Sequence, residues 1–239
     1  EYDALPGVGH ACGHNVIATA SLVAMLGLHA VAEQLPGTVK LIGTPAEETG
    51  GGKELMARAG AFAGIDAALM IHPAAVNLPA MPTIGVAEVR VIYHGRAAHA
   101  SAQPHQGINA LDALVLAYQA IGNLRQHIRA SERIHGIITD GGQAPNIVPE
   151  RAAGYFFVRA ATAQALDALK ARVLACFEAG ARATGCELEV QWDDVDYLDL
   201  NTNGPLSDCF QCHAEALGRQ FGTPEQFGGA GSTDMGNVS

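Results

Sequence analysis

The sequence predicts an α/β protein in which an open-sheet domain is interrupted by a second, ferredoxin-like domain. Three observations carry this reading. Between residues 15 and 71 a helical pattern alternates twice with short apolar runs, the order that gives parallel strands joined by crossover helices. From Gly85 the texture changes to strands of alternating polarity. Residues 85–197 then read β-α-β-β-α-β, a unit complete in itself. The expected organisation is residues 1–84 for the first part of the open-sheet domain, 85–197 for the insertion and 198–239 for the second part.

Each element has its own signal. Asn15 to Leu35 places Ile17, Val23, Leu26, Leu28, Val31 and Leu35 at helical spacing, and Pro36-Gly37 stops it. Thr38 to Gly43 (TVKLIG) reads as a buried strand, Glu54 to Ala61 as a short helix ended near Gly60, and Asp66 to Ile71 (DAALMI) as a second buried strand. In the insertion, Val86 to Tyr93 (VAEVRVIY) alternates like a strand with one wet face. Asn109 to Ile128 is a helix, Ile134 to Thr139 and Gly154 to Ala160 are strands around an Asp140-Gly141-Gly142 turn, Thr162 caps a helix to Thr184, and Glu187 to Trp192 closes the unit. Leu206 to Phe221 is a helix returning to the first domain.

Composition narrows the function. The 239 residues are 49% apolar and 16% charged, with a net charge of −10. Nucleic acids and anionic membranes select basic surfaces, so this balance argues against both as partners. The apolar stretch from Val16 to Leu35 is broken by Thr19, Ser21, His29, Glu33 and Gln34, too polar to span a bilayer. No charged leader with a cleavage site is evident, which points to the cytoplasm. Five cysteines, an odd number, suit free thiols or metal ligands in a reducing compartment. The chain starts at Glu1 and stops in a Gly-rich turn, so it is expected to be a stretch of something longer.

Three polar motifs fall in loops at element ends, two of them after the carboxyl ends of the expected strands, where open sheets bind ligands. Pro6 to Asn15 (PGVGHACGHN) sets Cys12 and His14 one residue apart on flexible backbone. Thiolate and imidazole both suit zinc. The glycines Gly7, Gly9 and Gly13 do not have dinucleotide-loop spacing, because Cys12 stands where the last glycine belongs. Glu47-Glu48 puts two mutually repelling carboxylates in a Pro/Gly loop, an arrangement that a cation relieves. One glutamate on a metal leaves its neighbour free to act as general base on water. His72-Pro73 follows an apolar run. Taken singly, each has a bland reading: a buried Cys, a solvated acidic loop, a capping His. In this order they suggest a metal-dependent hydrolase.

Further candidates lie downstream. His99, Asn146 and Arg159 sit at strand ends of the insertion, and together they suit polarising a carbonyl and gripping a carboxylate; spacing alone equally fits surface polarity. Cys209, Cys212 and His213 match the C-x-x-C-H haem-attachment pattern, a short motif often met by accident. A metal-binding or dimerisation module without catalysis is the other rival.

The combination GHACGHN, GTPAEE with GGGK, MIHP, AHAS, GGQAPNIVPE and GSTDMGNVS resembles the aminoacylase and amidohydrolase family of dinuclear zinc metallopeptidases, the carboxypeptidase G-type enzymes, closest to the aminobenzoyl-glutamate hydrolase and dipeptidase branch. The similarity runs over essentially the whole chain. It implies a zinc-peptidase-like α/β catalytic domain with an inserted lid and dimerisation domain, and two divalent ions, zinc or manganese. Cys12, His14, Glu48 and His72 would be ligands and Glu47 the general base. His99 would stabilise the oxyanion, Asn146 and Arg159 would hold the substrate's carboxylate, and Asp3 would orient the metal site. It further implies a homodimer acting on a small-molecule amide. The family's C-terminal histidine ligand has no counterpart in this sequence, and Glu1 stands where more distant relatives have a histidine.

Overall fold

A computed structural model describes residues 3–227 and 230–239 of the chain. A small antiparallel pair, β1 (Asp3–Leu5) and β2 (Val8–Gly9), leads into α1 (His14–His29) and a 3-10 turn at Ala32–Gln34. The short helix α2 spans Gly52–Arg58. There follow β3 (Gly85–His94), α3 (Ala110–Leu124), β4 (Arg133–Asp140), β5 (Arg151–Ala160), α4 (Ala163–Thr184) and β6 (Glu187–Trp192). Helices α5 (Gly204–Ala216) and α6 (Pro224–Phe227) complete the order, with a last 3-10 turn at Asp234–Asn237.

The four long strands form one antiparallel sheet in the order β4-β5-β3-β6. With strands counted from β3, this is the 2-3-1-4 arrangement of a ferredoxin-like unit. The register of β3 against both neighbours is unbroken, with Val89 opposite Phe156 on one side and Trp192 on the other, while the β4–β5 register shifts between Ile138 and Asp140. Period-2 alternation turns Val89, Val91 and Tyr93 to one face, and α3 and α4 cover that face with Leu114, Ile121, Leu166, Leu169, Val173 and Phe177. Each large apolar side chain fully enclosed here contributes about 1.5–3 kcal/mol. The one polar atom of the Tyr93 side chain is satisfied, its hydroxyl donating to the Phe177 carbonyl at 2.9 Å. Burial pushes that phenol far up from its ordinary value.

Caps set the helix limits. The Asn109 side chain accepts from the amides of Leu111 and Asp112 at the start of α3, and Thr162 accepts from Ala165 at the start of α4. Gly185, left-handed at φ 78°, ends α4. Helix α3 gives way to a 3-10 turn at Arg125–His127, just before the expected end at Ile128.

The first part of the chain departs from expectation. Residues 38–43 and 66–71 join no sheet. A strand exists only through a hydrogen-bonded neighbour, and among the described residues neither segment has one. Val39, Leu41, Leu69 and Ile71 are consequently exposed, as are Val16, Val23 and Leu26 on α1. Helix α1 stops at His29, and α5 stops at Ala216 with Leu217 exposed. Among the described residues no helix is long and apolar enough to cross a membrane.

Where the chain enters and leaves the four-stranded sheet, its two connections are joined. Val86 and Tyr197 exchange both backbone hydrogen bonds at 2.9 Å. The last residues brace this junction: Ile84 N–H donates to the Gly231 carbonyl at 2.9 Å, and the Ser232 hydroxyl donates to the Ile84 carbonyl at 2.8 Å.

Candidate metal and catalytic site

The local backbone explains how the site gathers. Gly13 is left-handed at φ 83°, and a Cβ there would stand 3.1 Å from Cγ of Pro73. Its bare backbone therefore lets the 12–14 turn lie against the His72-Pro73 segment. Cys12 Sγ comes to 3.1 Å from His72 Nε2. The other nitrogen of that ring, Nδ1, lies 2.8 Å from the Pro73 carbonyl. A carbonyl only accepts, so Nδ1 carries the proton and the Nε2 lone pair faces the cluster.

His14, the first residue of α1, places Nε2 3.5 Å from a Glu47 oxygen and 3.3 Å from a Glu48 oxygen. Glu47 is the more enclosed, its side chain 17% exposed against 64% for Glu48. The ligand atoms form two sets, Cys12 with His14 and His72, and His14 with Glu47 and Glu48, and within each set they lie within 4.8 Å of one another. His14 belongs to both. One thiol, two imidazoles and two carboxylates form a donor set suited to borderline divalent cations. Burial, then the Glu48 and Glu47 charges, push the Cys12 thiol above its ordinary value, which a cation among these groups would reverse.

The Glu47-Glu48 loop is tightly closed. Ala46 adopts φ 60°, alone in positive φ among the described non-glycine residues, and its carbonyl accepts from Gly52 N–H at 3.1 Å. A Cβ on Gly52 would lie 1.9 Å from the Pro45 carbonyl oxygen, so only glycine fits. The Tyr197 hydroxyl donates to the Glu47 carbonyl, and Gly51 N–H donates to that hydroxyl at 3.1 Å. Burial raises the Tyr197 phenol, so it stays a hydroxyl donor. Just beyond, Lys53 Nζ bonds Asp234 Oδ1 at 2.6 Å and Lys53 N–H bonds Oδ2 at 2.9 Å. Both side chains are almost wholly buried, at 5% and 0% exposed. Sequence reasoning missed this ion pair and the part played by Tyr197. The only hint was a lysine closing a Gly run and an aspartate in a Gly-rich turn, far apart in the chain.

His99, Asn146 and Arg159 lie on the inserted unit. His99 and Ile147 form a backbone bridge, and Ala100 N–H donates to the Asn146 carbonyl at 3.0 Å, so these two loops run side by side. His99 Nδ1 accepts from the amides of Ser101 and Ala102, both at 3.3 Å. That fixes the proton on Nε2, a donor on an exposed ring. Arg159 donates to Ser232 Oγ at 2.9 Å and to His135 Nε2 at 3.2 Å, and packs over Phe157. Among the described residues, no hydrogen bond or ion pair joins His99, Asn146 or Arg159 to the Cys12–His72 cluster. The side chain of Asp3 and all of Glu1 lie outside the described residues. Cys209, Cys212 and His213 all lie on α5, both cysteines exposed, and none belongs to the groups of metal-holding geometry found among the described residues.

Comparison with known proteins is consistent over the whole chain. Residues 83–184 match the M20 peptidase dimerisation domain. The Xaa-Arg dipeptidase of Mus musculus is 43% identical over 245 residues, covering 100% of this chain and 57% of that protein. One of the p-aminobenzoyl-glutamate hydrolase chains of Escherichia coli (strain K12) is 34% identical, covering 94% of this chain and 50% of that protein. The chain therefore spans 57% and 50% of the length of these two relatives. Among solved structures, the YXEP protein of Bacillus subtilis, a dinuclear metal binding peptidase, superposes with a TM-score of 0.69 at 24% identity, over 100% of this chain and 64% of that one.

Proposed function

Because the chain belongs to the M20 peptidase family, we propose that it carries the metal and general-base half of a metal-dependent amidohydrolase. The proposed substrates are N-acyl amino acids, aminobenzoyl-glutamate-like compounds or dipeptides. The observation that carries this reading is the convergence of Cys12, His14, Glu47, Glu48 and His72 on one place from three separate segments. Homology to a dipeptidase and an aminobenzoyl-glutamate hydrolase supports the substrate class.

In this reading Cys12, His14, Glu48 and His72 would hold two divalent ions, zinc or manganese. When bound, such ions would lower the pKa of a water toward neutrality and polarise the scissile carbonyl. Glu47, the more enclosed carboxylate, takes the proton from the attacking water and later returns it to the leaving amine. His99 offers its Nε2–H to the carbonyl oxygen as negative charge develops there. Arg159 and Asn146 bind the substrate's carboxylate. Asp3 steadies the ligand set. The working division is 1–84 and 198–239 for the catalytic part and 85–197 for the lid.

The protein is proposed to work as a homodimer through the inserted unit. The matched dimerisation domain supports this, as does the outer edge of β4, where Ile137 is 61% exposed beside Val115, itself 50% exposed on α3. An unpaired strand edge with apolar neighbours is a template for pairing with a second copy.

The test is metal content and turnover of Glu47→Gln and Cys12→Ala beside the wild type. Glu47→Gln should keep its metal and lose at least roughly 10²-fold in kcat, the scale of a general base. Cys12→Ala should lose metal as well. Near-wild-type kcat in Glu47→Gln removes Glu47 from the reaction.

A further inference from the structure

A single phenol bridges two points of the loop that carries the proposed general base. The Tyr197 hydroxyl donates to the Glu47 carbonyl at the loop's start and accepts from Gly51 N–H at its end. The packing around it is close. A Cβ on Gly51 would stand 2.4 Å from Cγ1 of Val195, and Val195 is itself buried. Residues 195–197 thus form a wall against which the loop rests.

That wall lies at the exit of the inserted unit. Tyr197 is the residue whose backbone pairs with Val86 at the point where the chain enters and leaves the four-stranded sheet. The ring reaches the Glu47 loop while the main chain of the same residue is fixed to the sheet's two connections. Any rotation of the sheet about this junction moves the hydroxyl and, through it, the peptide of Glu47.

We propose that Tyr197 is a positioning residue for the reaction. Its hydroxyl ties the Glu47 loop to the base of the inserted sheet, so the orientation of that sheet sets where the Glu47 carboxylate stands. The inference rests on the general-base role proposed above. It follows from the paired hydrogen bonds and the location of the residue, neither of which a merely space-filling tyrosine requires. Proton transfer is steep in distance, and a displacement near 1 Å costs on the order of 10²-fold in rate.

The experiment is Tyr197→Phe in the purified protein, which removes one oxygen and leaves the ring. Tyr118→Phe is the control, because that hydroxyl bonds the Gly136 carbonyl on β4 at 3.1 Å. Four quantities are read: thermal midpoint, metal per chain at saturating zinc, amide exchange of residues 47–52, and kcat and KM for a substrate the wild type hydrolyses. The expected result is an unchanged midpoint and metal content, exchange at 47–52 faster by about tenfold or more, and kcat lower by about 10- to 10²-fold with KM within roughly twofold. The control should change none of these. Unchanged exchange, or faster exchange with wild-type kcat, overturns the proposal. So does a loss of kcat accompanied by loss of metal or a lower midpoint, which marks a structural role. A wild type that hydrolyses none of the candidate substrates defeats the amidohydrolase reading instead, and the exchange measurement alone then decides whether the tether exists.

Discussion

Replacing Lys53 by methionine tests the buried pair behind the Glu47 loop. The ammonium and the Asp234 carboxylate stand 2.6 Å apart, at 5% and 0% exposure. At an effective dielectric near 20 their attraction is roughly 6 kcal/mol before desolvation is subtracted. Methionine fills the space of the stem but removes the charge, leaving a carboxylate with no solvent and one remaining partner, the Lys53 backbone N–H at 2.9 Å. Stranding a buried charge in this way costs about 3–5 kcal/mol, which for a chain of this size lowers the thermal midpoint by roughly 6–20 °C. Adding Asp234→Asn should restore most of the loss, because the amide oxygen still accepts from the backbone and no charge remains. Calorimetry of the two single variants and the double variant, at matched metal concentration, gives the coupling directly. A single-variant loss below about 1 kcal/mol would refute the argument, since that is the size of an exposed pair.

Two more outcomes follow from the inserted unit. Ile137→Asp should break the proposed dimer by placing a charge on the apolar edge of β4, and light scattering of wild type and variant decides it. Although His135 is exposed at the surface, partial desolvation and the nearby Arg159 and Arg125 charges lower it below its ordinary value of 6.5, so the folded state binds this proton less readily than the unfolded chain. Stability is then fully present above pH 6.5 and declines as pH falls from there toward the depressed folded value; His135→Gln should flatten that slope in thermal scans at successive pH values.

The parts of this fold that the sequence announces are those whose evidence is local. Alternation along Val86 to Tyr93 states both that a strand forms and which face is buried, and Asn109 and Thr162 mark their helix starts by their own side chains. The runs TVKLIG and DAALMI state only that something should cover them. A ladder needs a neighbour, and no run of apolar residues says which, so both strand expectations fail among the described residues. The site divides the same way. Cys12 with His14, Glu47 with Glu48, and His72 with Pro73 stand out because each pair is chemically unusual within a few residues. Lys53 and Asp234 do not, for they are partners 181 positions apart. Tyr197 is equally silent in sequence, one aromatic in an acidic stretch, until the fold brings it 150 positions back to Glu47.

The same separations impose an order in time. A ribosome adding about 5–20 residues per second places the Glu47 loop in the open well before Tyr197 exists, and waits roughly ten to forty seconds between Lys53 and Asp234, 181 residues later. During that interval the four-stranded unit, whose contacts are nearer in sequence, is able to form. Until then the Glu47 loop has its own Gly52-to-Ala46 backbone bond but neither the Tyr197 hydroxyl nor the Lys53–Asp234 pair. The nascent chain is thus able to complete its four-stranded unit before Asp234 arrives to pair with Lys53 behind the Glu47 loop.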